Sequence, residues 1–449
     1  MRNGINLLLI CCCTLTAFAR EEYRRDFRKT VPLSGGRSLR IENSNGKVNI
    51  RTQSKGEVEI QAAIRCSANT AAEARSFADQ IQIVVSETGG VSVRTQYPSY
   101  HNNRNVSYSV DYDIVMPETA PLDLRNRFGS VTVTNLHAPV TISGGNSSVY
   151  FSGGRGRQQI ENSFGDVEVR TNDGDLVVRN GNGAVIATDV TGAVDITNRF
   201  GKVRVTNAGH GVTIHSNNGE IEVANVGGLA SISNSFGPVT VTDARNDVIV
   251  QNQNGEVRAT GITGAAELHT TFSRVSFSRI GKTLTVHASN ATIAGDTVGD
   301  SATVETSFGG VDLRGVKGGA RVTAGNSSIR LSGIGGEVYA KTSFNGVTVG
   351  DAAGPVTVEN QNGSVTVDSK AGQKCQPISL RTSFGPMRVA VPGGTGYNVT
   401  ARTSFGRIHS DADMSVTGNV GGDEIRGKIA GGGCEMRLTN QNGSIDIVK

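Results

Sequence analysis

Pairs of aliphatic residues separated by a single residue recur along most of the chain at intervals of nine positions. The pairs begin at Leu122/Leu124 and Val131/Val133 and keep the same register as far as Val365/Val367. An apolar-x-apolar triplet is typical of a short strand that turns two side chains to one face, and the Gly, Asn and Asp residues between triplets favour turns. Each nine-residue unit therefore predicts one strand and one corner.

Two such units return the chain to its starting side, so we predict coils of 18 residues whose strands pair in parallel with those of the next coil, at ~4.8 Å. A left-handed hexapeptide helix is disfavoured because its apolar signal would recur every six residues. A β-propeller with four strands in each 36-residue unit stays open as an alternative. The predicted fold is all-β: a parallel β-solenoid (β-helix) with 18-residue coils paired into 36-residue repeats and a small N-terminal α+β cap.

A longer repeat marks one corner of the predicted coils. A Phe recurs every 36 residues, and an Asn stands midway between successive Phe residues. We expect the Phe rings to pack inward and the Asn amides to hydrogen-bond the backbone of the turn. The members of this predicted structural ladder are Phe128, Phe164, Phe200, Phe236, Phe272, Phe308, Phe344, Asn146, Asn182, Asn218, Asn254, Asn290, Asn326 and Asn362.

The two ends of the chain depart from the regular pattern. Residues 20–120 lack the nine-residue register, apart from one early coil around Asn45 and Gly46, and contain a predicted helix from Ala68 to Gln80. We interpret them as a cap, because an open solenoid end would expose strand edges and apolar core. Residues 121–370 form the regular solenoid, and residues 371–449 are predicted to form irregular coils and a second cap.

Residues 1–19 have the features of a signal peptide. Arg2 precedes an apolar run from Leu7 to Phe18, and Ala19 ends a small-x-small cleavage motif. No later segment reaches the ~20 apolar residues of a membrane-spanning helix, so we expect no transmembrane span in the mature chain. The predicted location is the periplasm, the cell surface or the extracellular space. A lipoprotein alternative stays open, since acylation is conceivable within the cluster Cys11, Cys12 and Cys13.

Three cysteines remain after the predicted cleavage: Cys66, Cys375 and Cys434. Export permits disulfides, and Cys375 and Cys434 both lie where the repeat register breaks, so a disulfide between them is a candidate. Three buried free thiols are the alternative. The net charge of +4 is small for 449 residues and the basic residues are scattered, so no nucleic-acid partner is predicted.

The repeat pattern offers no catalytic, cofactor-binding or metal site. The residues predicted to face outward are mixed and rich in Thr, without clustered carboxylates, and corners of constant length leave no room for a pocket. Asn172 to Asp175 resembles one calcium-binding nonapeptide turn, but the neighbouring corners lack its acids. Metal-ligand spacing is absent among His137, His210, His215, His269, His287 and His409.

The order of features resembles the bacterial putative-adhesin family of exported β-strand-repeat proteins. The resemblance covers the signal peptide, the Asn45-Gly46 turn, the short helix, and the run from Val110 to Pro117 that leads into the first Phe128-Gly129 corner. It implies a cell-envelope or surface protein with an adhesive or stress-sensing role, and no catalytic residues carry over. We therefore predict a non-enzymatic, adhesin-like protein that binds a glycan or an envelope protein along the solenoid face, or that acts as a rigid spacer. A polysaccharide-acting β-helix enzyme and an envelope-stress regulator remain as alternatives.

Overall fold

A computed structural model describes residues 20–34, 36–98, 106–369, 374–416 and 423–449. Within them the chain forms a parallel β-solenoid of about 15 turns with one α-helix, as the sequence predicts. The predicted signal peptide and Cys11, Cys12 and Cys13 lie outside the described residues. The described helix is too short and too polar to cross a membrane.

The elements of the N-terminal region precede the regular coils. In chain order they are β1 (Glu21–Pro32), β2 (Leu39–Asn45), β3 (Val48–Gln53), β4 (Glu57–Ala68), α1 (Ala71–Gln80), β5 (Gln82–Ser86), β6 (Val91–Gln96) and β7 (Ser107–Pro117).

The regular coils follow, each built from two strands except where one strand continues through a corner. They are β8 (Leu122–Phe128), β9 (Val131–Thr134), β10 (Val140–Asn146), β11 (Val149–Arg155), β12 (Gln158–Phe164), β13 (Val167–Asp173), β14 (Leu176–Asn182), β15 (Val185–Val190), β16 (Val194–Phe200), β17 (Val203–Ala208), β18 (Val212–Asn218), β19 (Ile221–Val226), β20 (Ala230–Phe236), β21 (Val239–Ala244), β22 (Val248–Asn254), β23 (Val257–Ile262), β24 (Ala266–Ile280), β25 (Leu284–Val298), β26 (Ala302–Phe308), β27 (Val311–Val316), β28 (Ala320–Asn326), β29 (Ile329–Ile334), β30 (Val338–Phe344), β31 (Val347–Ala352), β32 (Val356–Asn362) and β33 (Val365–Ser369).

The C-terminal elements complete the stack. They are β34 (Ile378–Phe384), β35 (Met387–Ala390), β36 (Tyr397–Thr403), β37 (Ile408–Ser410), β38 (Met414–Val416), β39 (Glu424–Ile429), β40 (Cys434–Asn442) and β41 (Ile445–Val448).

Strand pairing confirms the predicted coil length. Val203 of β17 lies beside Ile221 of β19, and Val194 of β16 lies beside Val212 of β18, so equivalent positions in successive coils are 18 residues apart. All pairings among β8 to β35 are parallel, whereas antiparallel pairings are confined to the ends. The β-propeller alternative is therefore wrong, because its blades require antiparallel neighbours.

The core is formed by the predicted aliphatic pairs and by a third buried row that the pair pattern does not contain. Each coil turns one more side chain inward just after its second strand bends, for example Val190, Val226 and Ile262. The residue before each of these has a positive φ, as at Asp189 (57°) and Asn225 (56°). This left-handed residue breaks the strict alternation of the strand, so the following side chain re-enters the core.

The N-terminal region closes the first end of the solenoid by a change in chain order. β2 and β3 form a coil that lies directly against β8 and β9, although 68 residues separate β3 from β8. The intervening β6 and β7 form a further coil on the outer side of β2 and β3. β4 and then β1 extend the sheet beyond β7 in antiparallel fashion, and α1 packs on β1 and β4. The exposed strand edge is thereby covered.

The predicted helix is confirmed, but it begins three residues later than predicted. Ser67 and Ala68 still belong to β4, and the Thr70 side chain accepts a hydrogen bond from the Glu73 amide at the helix N-terminus. Ala74, Phe77 and Ala78 are buried. A threonine N-cap and an apolar face therefore set the helix start, where the sequence pattern alone favours an earlier one.

At the C-terminal end of the solenoid, as at the N-terminal end, the order of the coils in space differs from their order in the chain. β40 and β41, the last strands of the chain, lie directly on β34 and β35, and the earlier strands β36 and β37 stack outside them. Cys375, just before β34, forms a disulfide with Cys434 at the start of β40. The coil of β40 and β41 is therefore joined covalently to the coil on which it packs.

Cys66 is buried and free, and burial raises the pKa of its thiol to about 11.

Candidate functional site

One corner of the solenoid carries an unbroken row in which Phe and Asn alternate. Phe164 of β12 lies beside Asn146 and Asn182, and Phe236 of β20 lies beside Asn218 and Asn254. We call this the corner row; in spatial order its paired members are Asn45, Phe128, Asn146, Phe164, Asn182, Phe200, Asn218, Phe236, Asn254, Phe272, Asn290, Phe308, Asn326, Phe344, Asn362, Phe384 and Asn442.

The Phe rings of the corner row point outward, so the predicted inward packing is wrong. The eight Phe residues are between 39% and 54% exposed, whereas the inward residues of the same strands are almost completely buried. Strand alternation would place Phe236 on the same side as Ile232 and Asn234, which are buried. The strand ends at Phe236, however, and the chain turns at Gly237; at this corner the Phe236 side chain points out of the core.

A second amide row, directly inside the corner row, holds the bend. Two residues before most members of the corner row stands a buried Asn, whose side-chain amide hydrogen-bonds the carbonyls of the turn. Asn234 Nδ2 donates to Phe236 O at 3.0 Å, to Gly237 O at 3.3 Å and to Gly219 O of the preceding coil at 3.1 Å. We call this the inner amide row; it comprises Asn43, Asn126, Asn162, Asn180, Asn198, Asn234, Asn252, Asn360 and Asn440.

The inner amide row takes the role that the sequence analysis assigned to the corner asparagines. A corner asparagine, Asn254, donates from Nδ2 to the carbonyl oxygen of Ser235 at 3.5 Å, which is longer than the bonds that Asn234 of the inner amide row makes. Where the inner position is Thr, as at Thr270 and Thr306, the hydroxyl donates to the Phe carbonyl at 2.9 and 3.0 Å. The 18-residue recurrence of Asn and Thr two positions before the corner residue was the sequence signal for this row.

Glycine follows most corner residues because the backbone leaves no room for a side chain. Gly237 has a φ of 110°, and a Cβ built on it would lie 2.3 Å from the carbonyl oxygen of Gly219 in the preceding coil. A positive φ and this close approach together require glycine. The tight turn and the inner amide fix the direction in which each Phe leaves the backbone.

A shallow groove runs beside the corner row between β20 and β25. Its volume is about 440 Å³. Its lining is formed by Ser, Thr, Asn, Gln and Ala side chains and by two histidines, His269 and His287, whose ring centroids lie 4.9 Å apart in a stacked arrangement. His269 Nε2 lies 2.7 Å from Glu267, and His287 Nδ1 lies 3.1 Å from Glu305. The histidine pair is in register because its members are 18 residues apart, and such a pairing is not a metal-ligand spacing within one segment of the sequence.

The acids of the calcium-like turn are engaged by the next coil. Asp173 accepts a hydrogen bond from Thr191 Oγ1 and Asp175 accepts one from the Ala193 amide, both at 2.9 Å. Asn172 is buried and donates to Gly174 O at 2.9 Å. Each acid thus bridges successive coils. Among the residues that the structure describes, no cluster of three or more His, Cys, Asp or Glu side chains could hold a metal ion.

Carboxylates on the flat faces are paired with basic side chains of neighbouring coils. Arg179 contacts Asp195 through two hydrogen bonds of 2.7 and 2.9 Å, which lower the pKa of Asp195. Lys202 and Arg204 both contact Glu222, and these bonds lower the pKa of Glu222. A carboxyl group with a lowered pKa is ionised at neutral pH and is a poor general acid. These pairs favour sheet stabilisation over acid catalysis.

No family model and no curated protein matches the chain. Among solved structures, a putative cell adhesion protein from Clostridium sporogenes is similar over 95% of this chain and 99% of its own, at 8% identity and a TM-score of 0.17. Putative adhesins from Bacteroides fragilis (10% identity, TM-score 0.17) and Parabacteroides distasonis (11%, 0.18) each align with 77% of this chain and 97% of their own.

Proposed function

We propose that this chain is a non-enzymatic, exported, adhesin-like protein of the cell envelope or surface, and that it binds an extended partner along the corner row. The observation that carries the proposal is the row itself: eight half-exposed Phe rings in register on one edge of a rigid stack. The signal peptide that the sequence predicts at residues 1–19 supports the proposed location.

The amount of exposed aromatic surface supports a binding role. A Phe side chain covers roughly 150–250 Å², so eight half-exposed rings present on the order of 600–1,000 Å² of aromatic surface. Exposed apolar surface rimmed by polar residues often marks an interaction site. The exposed aromatic surface of the corner row extends along the length of the solenoid, so it fits a long and narrow partner better than a compact one.

The shape of the solenoid supports the same role. About 15 coils at ~4.8 Å each give a body roughly 70 Å long. Because both ends are closed by extra strands, the edge is presented as one continuous rigid surface. A rigid row needs little ordering when a partner binds, so its contacts add along its length.

The proposal is tested by removing the rings from the middle of the row. Phe164, Phe200, Phe236 and Phe272 are replaced together by Ser, and binding of the mature protein to cells and to isolated envelope fractions is measured by pull-down. The matched control replaces four Thr residues of the flat faces by Ala: Thr213, Thr240, Thr285 and Thr348.

We expect the Ser variant to lose binding and the Thr-to-Ala variant to retain it, with both folded by circular dichroism. Equal binding by the Ser variant and the unmodified protein would contradict the proposal and leave a spacer role. Recovery of the mature protein from the cytoplasm alone would contradict the proposed location.

A further inference from the structure

We infer that the corner row recognises a neutral, extended β-1,4-linked polysaccharide, with successive Phe rings stacking on every second sugar. This inference rests on the proposed binding function and adds the chemical class of the partner. Three properties of the row carry it: its spacing, the chemistry between its rings, and its continuity at the ends of the solenoid.

The spacing of the rings favours a glycan over an extended peptide. Members of the corner row are paired in register, so successive Phe residues are separated by two strand spacings, about 9.6 Å. In an extended β-1,4-linked chain each sugar is turned over relative to the last, so the chain repeats every two sugars, close to this distance. An extended peptide repeats every ~6.6–6.8 Å, which does not match the ring spacing. Three stacked nucleotides advance about 10.2 Å, so spacing alone does not separate a single strand from a glycan; a nucleic acid is disfavoured because its binding depends on cations along the phosphates, and the net charge of this chain is only +4 over 449 residues.

The chemistry between the rings matches a hydroxyl-rich, uncharged chain. An Asn amide, which both donates and accepts hydrogen bonds, stands between every two rings. The residues just before the corner row along the groove are also neutral: Ser235, Gln253, Thr271 and Ser289. Elsewhere in the row, Arg127 and Arg199 precede Phe128 and Phe200. Sugar hydroxyls likewise donate and accept, and the C–H face of a pyranose packs on an aromatic ring. The row thus offers apolar and polar contacts in the alternation that such a chain presents.

A polyproline II peptide is a second rival that spacing alone does not remove, because its three-residue turn advances ~9.3 Å. A proline-rich backbone offers carbonyl acceptors and almost no donors, so it would use only half of each Asn amide. The rings of the corner row are Phe, which has no donor for those carbonyls. The amides and hydroxyls therefore favour the glycan.

The alternation continues at both ends, where the order of the chain changes. Asn45 pairs with Phe128 although they are 83 residues apart in sequence, and Asn442 pairs with Phe384 across 58 residues. Repetition of a 36-residue unit accounts for the middle of the row but does not by itself place these two residues in phase with it. The alternation of Phe and Asn therefore continues in space beyond the part of the chain in which the 36-residue repeat produces it.

The groove beside Phe236 and Phe272 adds a second contact surface to this part of the row. It follows the row over four coils and is lined by neutral Ser, Gln and Thr side chains, with the stacked pair His269 and His287 in its wall. A chain seated on the rings at Phe236 and Phe272 would have one edge in this groove. We therefore place the strongest contacts between β20 and β25.

The test measures binding of cellohexaose and chitohexaose to the mature protein by isothermal titration calorimetry. Maltohexaose, an α-linked chain that is not extended, and decaproline serve as probes of the alternatives. We expect binding of at least one β-1,4-linked hexaose and no binding of maltohexaose. Replacement of Phe200, Phe236 and Phe272 by Ala should weaken that binding by about tenfold or more, as expected for the loss of several stacking contacts.

A register swap separates specific recognition from general hydrophobic adhesion. Phe236→Asn combined with Asn254→Phe keeps the composition and the number of exposed rings. The new ring at position 254 lies three coils from Phe200 and one coil from Phe272, whereas successive rings of the unmodified row are two coils apart. We expect this variant to lose β-1,4-glycan binding about as strongly as the triple Ala variant. Unchanged glycan binding by the swapped protein would overturn the inference.

The outcomes also separate this inference from the function on which it rests. If neither hexaose binds while the row is still needed for envelope binding, the glycan class is wrong and the binding function stands. Decaproline binding that the triple Ala variant abolishes would identify a peptide partner and overturn the glycan assignment. If the row is dispensable for envelope binding and neither hexaose binds, both proposals fail.

Discussion

Asn234 binds the turn that displays Phe236. Its side-chain nitrogen lies 3.0 Å from the Phe236 carbonyl oxygen and 3.1 Å from that of Gly219 in the preceding coil. The buried amide therefore links the direction of an exposed ring to the stacking of two coils. Because the same arrangement recurs at Asn162 and Asn198, the exposed row depends on the buried one.

Loss of an inner amide should destabilise the coil more than loss of its neighbour. Asn234→Ala leaves turn carbonyls without their donor, and we expect a loss of about 1–3 kcal/mol in the free energy of unfolding. Asn234→Thr should cost less, because Thr270 already donates to the equivalent carbonyl. Urea denaturation followed by circular dichroism measures the differences. Ser235→Ala is the control, expected to stay within about 0.5 kcal/mol; an equal loss in this control would contradict the role of Asn234.

The exposed rings should contribute little to stability compared with buried side chains of the same strand. Phe236 is half exposed, so Phe236→Ala should cost less than about 1 kcal/mol, whereas Ile232→Ala removes a buried side chain and should cost about 2–5 kcal/mol. Thermal unfolding of the two variants compares them directly. A large loss for Phe236→Ala would mean that the ring serves the fold rather than a partner.

The nine-residue pattern was sufficient to predict the strands, the 18-residue coil and the parallel stack, because aliphatic pairs must face one core. It did not predict the direction of Phe236, since that depends on a bend that Asn234 stabilises from the interior. It also missed the third buried row at Val190 and Val226, which requires a left-handed residue at Asp189 and Asn225. Local deviations of the backbone, which a period-two pattern does not encode, account for these differences.

The order of the coils at the two ends was also beyond sequence reasoning. An early coil at Asn45 could be recognised, but nothing in the chain indicated that it lies between β6 and β8. The pairing of Cys375 with Cys434 was left open against free thiols, because connectivity cannot be deduced from spacing alone. Contacts between segments far apart in sequence decide both features.

A side chain at the corner glycine should disturb the stack. In Gly237→Ala the new Cβ would lie 2.3 Å from Gly219 O at a φ of 110°, so we expect a loss of about 1–3 kcal/mol. Gly350→Ala is the matched control, because its Cβ would approach no atom closer than the Ser332 hydroxyl at 4.0 Å. Differential scanning calorimetry of the two variants tests this. Equal melting temperatures would contradict the close approach between coils.

Glu222 should contribute a pH-dependent increment of stability. The hydrogen bonds from Lys202 and then Arg204 lower its pKa in the folded protein, so the contribution is present above the ordinary pKa of a glutamate, about 4.3, and is lost as the pH falls through the lower folded pKa. The side chains of Lys202, Arg204 and Glu222 are partly exposed, so solvent screens their attraction and Glu222→Gln should cost less than about 1 kcal/mol at pH 7. Unfolding measured from pH 7 to pH 3 should show the cost decreasing towards the acid end. Glu337→Gln, at an exposed position, serves as the control, and a cost that does not decrease as the pH falls would contradict the assignment.

The disulfide should protect the C-terminal coils without affecting the middle of the solenoid. It closes a loop of 59 residues, for which chain entropy predicts a stabilisation of roughly 4 kcal/mol. Each coil contacts mainly its neighbours, so we expect the effect to stay local. In a Cys375→Ser/Cys434→Ser variant, hydrogen exchange should accelerate in β36 and β39 but stay unchanged in β17. Cys66→Ala controls for the loss of a buried thiol, and uniform exchange in β36 with and without the disulfide would contradict its role in closing the stack.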